Sequence, residues 1–459
     1  MANINTFTAN LLARSESIVL KPRRVLYLIG FFIAYEIGIS IGWLFNLYVS
    51  PLLILSLLTF LLIILKVITA RRIPAIPLLG WWVVFALLAV ITYARSSLVV
   101  GPVQGTWVVF RLAFAGALIY PAFWFFLTKK EHLQTFLTIM ALSAALSGLI
   151  AVIQTISSGI LLSGVMTNDR FLGFLTKFPP ETLGTDPAVL RAHFYINTIF
   201  RGHGTFYRAN GFGAFMSIMI GLTWGLFRQA RGRRQIFFGL LLGAQLAGLI
   251  ATFSRTAWAA AIAALAIAIF IETFFWGRRQ LTRRQIQLFF MSVFFGALVL
   301  VIALQSNAAA DRLNSLLNPG QVAEVQWRVF IWKRALESII AQPWFGTGIA
   351  TVVSNEPLIG KGDFGAHNLF VGLAFERGLP ALFIFLFLMG RFFTATWRSL
   401  RSEQALLPEK GLATGVFASG VAFLLVGMGS SMLDIENLRA LFWVLLAIAF
   451  FPADKNKKK

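Results

Sequence analysis

The 459-residue chain is 58% hydrophobic, 14% aromatic and 13% charged, with a mean hydropathy of +0.78. Soluble domains run near half apolar and a quarter charged, so a water-soluble globule is excluded and the chain reads as an integral membrane protein. The absence of cysteine excludes disulfides, thiolate metal sites and thiol nucleophiles together, and the formal net charge of +22 is distributed in a way that argues against a nucleic-acid partner.

Apolar runs long enough to cross a hydrocarbon core of about 30 Å, about 20 residues each, fall near 25–47, 51–69, 78–94, 106–128, 133–158, 209–227, 235–253, 256–275, 286–305, 368–391, 411–430 and 438–452. The expected fold is therefore an all-α polytopic membrane protein of about twelve transmembrane helices, in one membrane domain spanning 1–459. The first run is too long for a signal-peptide core and no A-x-A site follows it. With the N-terminus in the cytoplasm, the inward connections carry Arg14, Lys21, Arg23 and Arg24, then Arg71 and Arg72, Lys129 and Lys130, Arg228, Arg231, Arg233 and Arg234. They continue with Arg278, Arg279, Arg283 and Arg284, then Arg391, Arg398, Arg401 and Lys410, and end with Lys455, Lys457, Lys458 and Lys459. Well over half of the basic residues thus lie on one side, as the positive-inside rule requires. Both termini are expected in the cytoplasm, and most of the charge is explained by topology.

Two long segments are expected outside, 159–208 and 306–367. Loops of that length are usually functional or disordered. In the second, "VAEVQWRVFIWKRALESIIAQP" predicts an amphipathic helix ended by Pro343, with Val325, Phe330, Ala335 and Ile339 beside Trp327, Trp332 and Leu336. Its tryptophans suit a membrane surface, as a partial lid over a cavity; ordinary packing against the bundle is the other reading. No 20–50 residue repeat, Gly/Ser linker or phosphate-binding loop is present, since "GTGIA" lacks the lysine and spacing of a P-loop.

Once topology has accounted for the inward charges, those on the outer side become informative. Arg255 sits in "TFSRTAWAA" at a tight turn between two apolar runs; an arginine at membrane depth costs roughly 2.5–3.5 kcal/mol on insertion scales, so it faces a partner, a watery cavity or the headgroups. Arg201 and Arg208 flank "GHGTFY" ahead of a helix near Asn210. Guanidinium forks stay charged and match phosphate oxygens, so three arginines converging on an outer mouth would suit a pyrophosphate. His367, in "GAHNLFVGLAFERGLP", is either a cap or a base, because an imidazole titrating near 6.5 can accept a hydroxyl proton at neutral pH. Glu376 and Arg377 lie deeper on the same helix and read as a buried pair. Of the other histidines, His132 reads as solvated; His193 and Arg191 lie near the Arg201 element. Asp434 and Glu436 in "DIE" read as structural, with Arg439 at i,i+3 from Glu436. No zinc-protease, esterase-elbow or serine-triad pattern occurs.

In order, these motifs resemble the O-antigen ligase and O-antigen polymerase superfamily: Ser254 and Arg255; Arg328 and Trp332 leading to Pro343, Gly346 and Gly348; His367 and Asn368; Glu376 and Gly378. Upstream, Arg201, Gly204, Thr205, Phe206 and Asn210 resemble a further family element. The resemblance covers about 200–390. It implies a metal-independent, cofactor-free glycosyltransferase of the C-type (GT-C) membrane fold with a large helical periplasmic loop, in the bacterial inner membrane and with its active site facing the periplasm. The implied donor is a glycan on undecaprenyl pyrophosphate and the acceptor a lipid-anchored glycan. The implied roles are His367 as base and Arg255 with Arg201 or Arg208 on the pyrophosphate, supported by Asn210, Asn368, Glu376 and Arg328. Fixed arginines can stabilise a leaving pyrophosphate without a metal, and attack from the opposite side would invert the anomeric centre.

Three functions remain open in the sequence: a ligase transferring the glycan to a lipid A core hydroxyl, a polymerase joining lipid-linked repeats, and a lipid-linked sugar transporter. Transporters place polar groups near the bilayer midplane, whereas here they gather at one face, which favours an enzyme.

Overall fold

The computed structural model describes residues 22–35, 39–41, 47–70, 74–100, 116–156, 195–196, 199–206, 208–275, 285–287, 290–291, 294, 323–348, 366–401 and 410–451. Helices dominate. In chain order they are α1 (Pro22–Phe32), α2 (Pro51–Ala70), α3 (Leu79–Val100), α4 (Ile119–Phe126), α5 (Lys130–Ile156), α6 (Ala209–Gln229), α7 (Arg233–Ala251), α8 (Arg255–Phe275), α9 (Ala323–Ala341), α10 (Leu369–Arg401), α11 (Lys410–Gly427) and α12 (Glu436–Ala449). Two short antiparallel pairs, Ile39–Ile41 with Leu47–Val49 and Tyr195–Ile196 with Ile199–Phe200, are the strands among the described residues.

Among the described residues seven helices are long and apolar enough to cross a membrane: α2, α5, α6, α7, α8, α10 and α11. Part of α3, Leu79–Thr92, is a shorter apolar helix. The twelve expected spans are not all reproduced. Residues 25–47 form the 11-residue α1 followed by the first strand pair rather than one helix; Gly38 and Gly42 in that run oppose helix by about 1 kcal/mol each. The described part of 106–128 holds the eight-residue α4, 438–452 corresponds to the 14-residue α12, and most of 286–305 lies outside the described residues.

The bundle is built around α6, whose residues are buried almost throughout and which packs against α5, α7, α8 and α11. Its tightest neighbour is α11, and small residues explain why. Gly221 and Gly225, one turn apart, meet Ser419, Gly415 and Gly411; a Cβ on Gly221 would come within 2.5 Å of Ser419 Oγ, and one on Gly415 within 2.6 Å of the Gly221 carbonyl oxygen. Close backbone approach through a small-residue stripe is how helices associate where lipid gives no hydrophobic drive. Ser419 Oγ also donates to the Ile218 carbonyl at 2.8 Å. The outer helices present apolar side chains instead, such as Ile68, Leu87, Leu240 and Phe274.

At the end of α6 that the charge pattern places inside, Arg228 Nε donates to Glu272 Oε2 at 2.5 Å, with both side chains buried. Trp224 Nε1 donates to Glu272 Oε1 at 3.1 Å and Arg228 Nη1 to Gln285 Oε1 at 2.6 Å, so both carboxylate oxygens are used. On the same side, His132, expected to be solvated, accepts from Arg23 Nη1 at 3.2 Å and ties α5 to α1.

Helix α9 covers the predicted amphipathic stretch, but its buried stripe differs from the one expected. Ile331, Ala335 and Ile339 are buried, and Ala335 and Ile339 pack on Ala374 and Phe375 of α10. Leu336 is exposed, as are Val329, Ile340 and Trp344. The helix therefore packs on the bundle through one face, as the packing reading expects, and keeps a separate apolar face outward.

Candidate active site

Arg201, Asn210, Ser254, Arg255, Thr256, Arg328 and Ser430, with Phe253, Val426 and Gly429, line an open-mouthed cleft of about 460 Å³. No carboxylate is among these lining residues. Asn210 lies in the first turn of α6 and Arg255 and Thr256 in the first turn of α8, so two helix N-termini, each with unsatisfied N–H groups and a partial positive charge, open beside three guanidiniums. Such a concave cationic surface is built for a polyanion.

Arg201 is fixed from two sides: its Nη2 donates to Asn210 Oδ1 at 2.6 Å and its Nε to the Thr252 carbonyl at 3.0 Å. The turn that carries it is clamped between α5 and α7. Gln154 Oε1 accepts from the backbone N–H of His203 and of Gly204, at 3.0 and 2.9 Å. Gln154 Nε2 returns a bond to the Gly204 carbonyl at 3.0 Å, and the Gly202 N–H donates to Ala251 at 2.8 Å. His203 is buried, with Nδ1 donating to the Phe206 carbonyl at 2.6 Å, and burial pushes its pKa down to about 4, with the nearby Arg201 charge acting in the same direction. Arg208 is exposed at the N-cap of α6 and is not among the cleft-lining residues. Arg191 and His193 lie outside the described residues.

The Arg-x-x-x-Trp spacing puts two side chains of α9 one turn apart on one face. Arg328 lines the cleft and its Nη1 donates to the Gly429 carbonyl at 3.3 Å. Trp332 Nε1 donates at 2.8 Å to the carbonyl of Ala366, the residue before His367. The cap of α10 is Asn368, whose Oδ1 accepts from the N–H of Phe370 at 2.9 Å and of Val371 at 3.1 Å, while its Nδ2 donates to the Met428 carbonyl at 3.1 Å. His367 is therefore not the cap. It sits just ahead of the helix in the left-handed region, φ 46, as does the cleft-lining Phe253, φ 51. A non-glycine residue held there costs about 1–3 kcal/mol, and such strain concentrates at functional sites.

Helix α10 is broken at Gly378 (φ 80, ψ 170), two residues before Pro380. Proline leaves the Glu376 carbonyl without its helical donor, and the Leu379 N–H turns away to Pro343 at 2.7 Å. The Pro343–Gly348 segment supplies the replacements: the Thr347 N–H donates to Phe375 at 2.8 Å and the Gly348 N–H to Glu376 at 3.0 Å. The approach admits no side chain, since a Cβ on Gly378 would lie 2.3 Å from the Trp344 carbonyl and one on Gly346 2.5 Å from the Phe375 carbonyl. Irregular backbone within a membrane helix is tolerated where protein satisfies it, and here it locks α9 and its loop onto α10.

Residues 237–386 match the family model described as O-antigen ligase. That stretch holds Ser254, Arg255, Arg328, Trp332, Pro343, Gly346, Gly348, His367, Asn368, Glu376 and Gly378, the same side chains and glycines that the geometry ties together. Over that stretch the chain is similar to the O-antigen ligase superfamily. An O-antigen ligase of Pseudomonas aeruginosa is 29% identical over 133 residues, a match covering 27% of this chain and 32% of that relative. With the apolar helices, this makes the chain a multi-pass protein of the bacterial inner-membrane type. Arg201, Asn210, Val426, Gly429 and Ser430 of the cleft lie outside the matched stretch.

Other expectations are corrected. Glu376 and Arg377 are both buried but form no ion pair, because neighbours on a helix point about 100° apart. They line a second cavity of about 210 Å³ with Asn368, Ser431 and Asp434. Glu436 accepts from Ser50 Oγ, and Arg439 Nη1 donates to the Leu433 carbonyl at 2.6 Å. The part of the candidate site that sequence reading passed over is the 428–431 corner, short and weakly polar in sequence, in which Met428 and Gly429 supply backbone carbonyls to Asn368 and Arg328.

Proposed function

We propose that the protein is an O-antigen ligase-type glycosyltransferase that transfers a glycan from undecaprenyl pyrophosphate to a hydroxyl of a lipid-anchored glycan, such as a lipid A core, at the outer face of the inner membrane. The observation that carries this reading is the carboxylate-free cleft in which Arg201, Arg255 and Arg328 meet the N-termini of α6 and α8. Held in a low-dielectric setting, fixed cations stabilise a departing pyrophosphate more strongly than they would in water, so the reading needs no divalent ion. In this scheme the acceptor oxygen attacks the anomeric carbon from the side opposite the pyrophosphate, His367 takes the hydroxyl proton, and the bond to the pyrophosphate oxygen breaks with inversion. Arg201 rather than Arg208 takes the anion, since Arg201 lines the cleft and is held by Asn210. We read the bundle as a C-type glycosyltransferase architecture with cytoplasmic termini and with α9 as part of its periplasmic elaboration.

The test is transfer by purified protein with EDTA present, from undecaprenyl pyrophosphate glycan to lipid A core. Glycosylated core with release of undecaprenyl pyrophosphate is the expected result. Ladders of donor repeats would make the enzyme a polymerase, and no release under either condition would overturn the reading.

A further inference from the structure

Gln154 is fully buried near the end of α5 that the charge pattern places outside, and its amide is spent on one turn. Oε1 accepts from the His203 and Gly204 N–H groups, and Nε2 donates to the Gly204 carbonyl. Ser147, also fully buried and about two turns away on the same helix, holds the next residue. Its Oγ accepts from the Thr205 N–H at 3.2 Å and bonds the Thr205 hydroxyl at 2.6 Å. The backbones approach so closely that side chains are excluded: a Cβ on Gly202 would lie 2.4 Å from the Ala151 carbonyl oxygen, and one on Gly204, at φ 57, 2.6 Å from Ser147 Oγ. Buried polar groups are unfavourable unless bonded, so these side chains favour a single seating of the turn on α5.

The turn begins at Arg201. Its guanidinium can reach Asn210 and the Thr252 carbonyl only while its backbone stays where the turn holds it. No residue of α5 is among the described residues lining the cleft, so what α5 contributes to the anion site passes through Arg201.

We propose that Gln154, aided by Ser147, is a positioning residue for the anion cleft: it fixes the 201–205 turn from a second helix and so sets where the Arg201 fork stands against a pyrophosphate. The proposal rests on the cationic-cleft reading and goes further by giving a role to a helix outside both the cleft and the matched stretch. Misplacing a binding fork by about 1 Å can cost about 10²-fold; losing one amide's hold, with the Asn210 and Thr252 anchors kept, is expected to cost about tenfold.

The test is a double-mutant cycle on the affinity of the full-length protein in detergent for undecaprenyl pyrophosphate, measured by equilibrium dialysis. Gln154→Met is expected to weaken binding about tenfold and Arg201→Ala to weaken it more. The double variant is expected to match Arg201→Ala within about twofold, because a residue that acts through the fork then has nothing to act on. Gln245→Met is the control. It removes another buried amide bond between α7 and α5, Nε2 to the Ala141 carbonyl at 2.9 Å, away from the turn, and should stay within about twofold of wild type. If Gln154→Met does not fold, Ser147→Ala carries the same cycle with an expected loss of about threefold.

The proposal is overturned if the α5 variant binds as wild type does, if its loss multiplies with that of Arg201→Ala, or if Gln245→Met weakens binding equally, as a merely structural role would give. Wild-type protein that binds no undecaprenyl pyrophosphate, or binds it equally well as Arg201→Ala, overturns the cleft reading and this proposal together. Binding that depends on Arg201 but not on the α5 side chains overturns this proposal alone.

Discussion

Arg201 and Asn210 are joined side chain to side chain, Nη2 to Oδ1 at 2.6 Å, and this bond distinguishes two arginines that the sequence left equivalent. Arg208, seven residues further on, is exposed and outside the cleft. Arg201→Ala is expected to lower kcat about 10²–10³-fold, the usual loss when a group stabilising developing charge is removed. Arg208→Ala is expected to stay within about threefold, as an exposed charge contributes little. Asn210→Ala should fall between them, because it frees the guanidinium without deleting it. Steady-state transfer rates at saturating donor decide this, and equal losses for Arg201→Ala and Arg208→Ala would remove the distinction.

Gly346 and Gly378 face each other's backbone where the external loop mends the break in α10. Both have positive φ, 61 and 80, and a Cβ at either would meet backbone atoms at 2.5 Å or less. Strain of about 1–3 kcal/mol per residue from the conformation alone, with the clash added, predicts that Gly346→Ala or Gly378→Ala lowers the unfolding temperature and activity together. Gly390, on the same helix with nothing within 4 Å of its Cβ position, is the control, and Gly390→Ala should be neutral or slightly stabilising. Thermal unfolding in detergent, read alongside transfer activity, gives the comparison.

These glycines show what was and was not legible in the sequence. Periodicity and apolar run length found α9 and most of the spanning helices, because a lipid-facing helix must be apolar along its whole length. The motifs also singled out Arg255 and Arg328, which line one cleft. Side-chain direction was less accessible: Leu336 and Ala335 are adjacent and both apolar, yet only Ala335 is buried, since which face packs is decided by α10. The bonds of Asn368 Nδ2 to the Met428 carbonyl and of Arg328 to the Gly429 carbonyl depend on a corner some 60 to 100 residues away in sequence. No local signal encodes such a pairing.

The buried Arg228–Glu272 pair at the other end of α6 predicts an asymmetric mutational response. Glu272→Ala strands a guanidinium among apolar helices and is expected to destabilise by about 3–5 kcal/mol, whereas replacing both partners with apolar residues of similar volume should recover much of the loss. A double-mutant cycle of Glu272→Leu and Arg228→Met, followed by thermal unfolding, measures it. Additive losses from the two single changes would show that the pair is not coupled.

His203 supplies a pH prediction with a definite sign. Its folded pKa of about 4 lies below the ordinary value of 6.5, because burial disfavours the imidazolium and Arg201 repels it; the bond to the Phe206 carbonyl opposes this shift only in part. Below pH 6.5 the unfolded chain takes up this proton and the folded chain does not, so the histidine's contribution is constant above that pH. It is lost as pH falls toward 4, at up to about 1.4 kcal/mol per unit and about 3 kcal/mol in total. In His203→Asn the amide can keep the bond to Phe206 but cannot titrate. The difference in unfolding temperature between wild type and variant should therefore be flat from pH 8 to 6.5 and shift in favour of the variant on further acidification. A difference that stays constant down to pH 4.5 would mean that His203 protonates equally in both states and that the clamp around Gln154 does not exclude water from it.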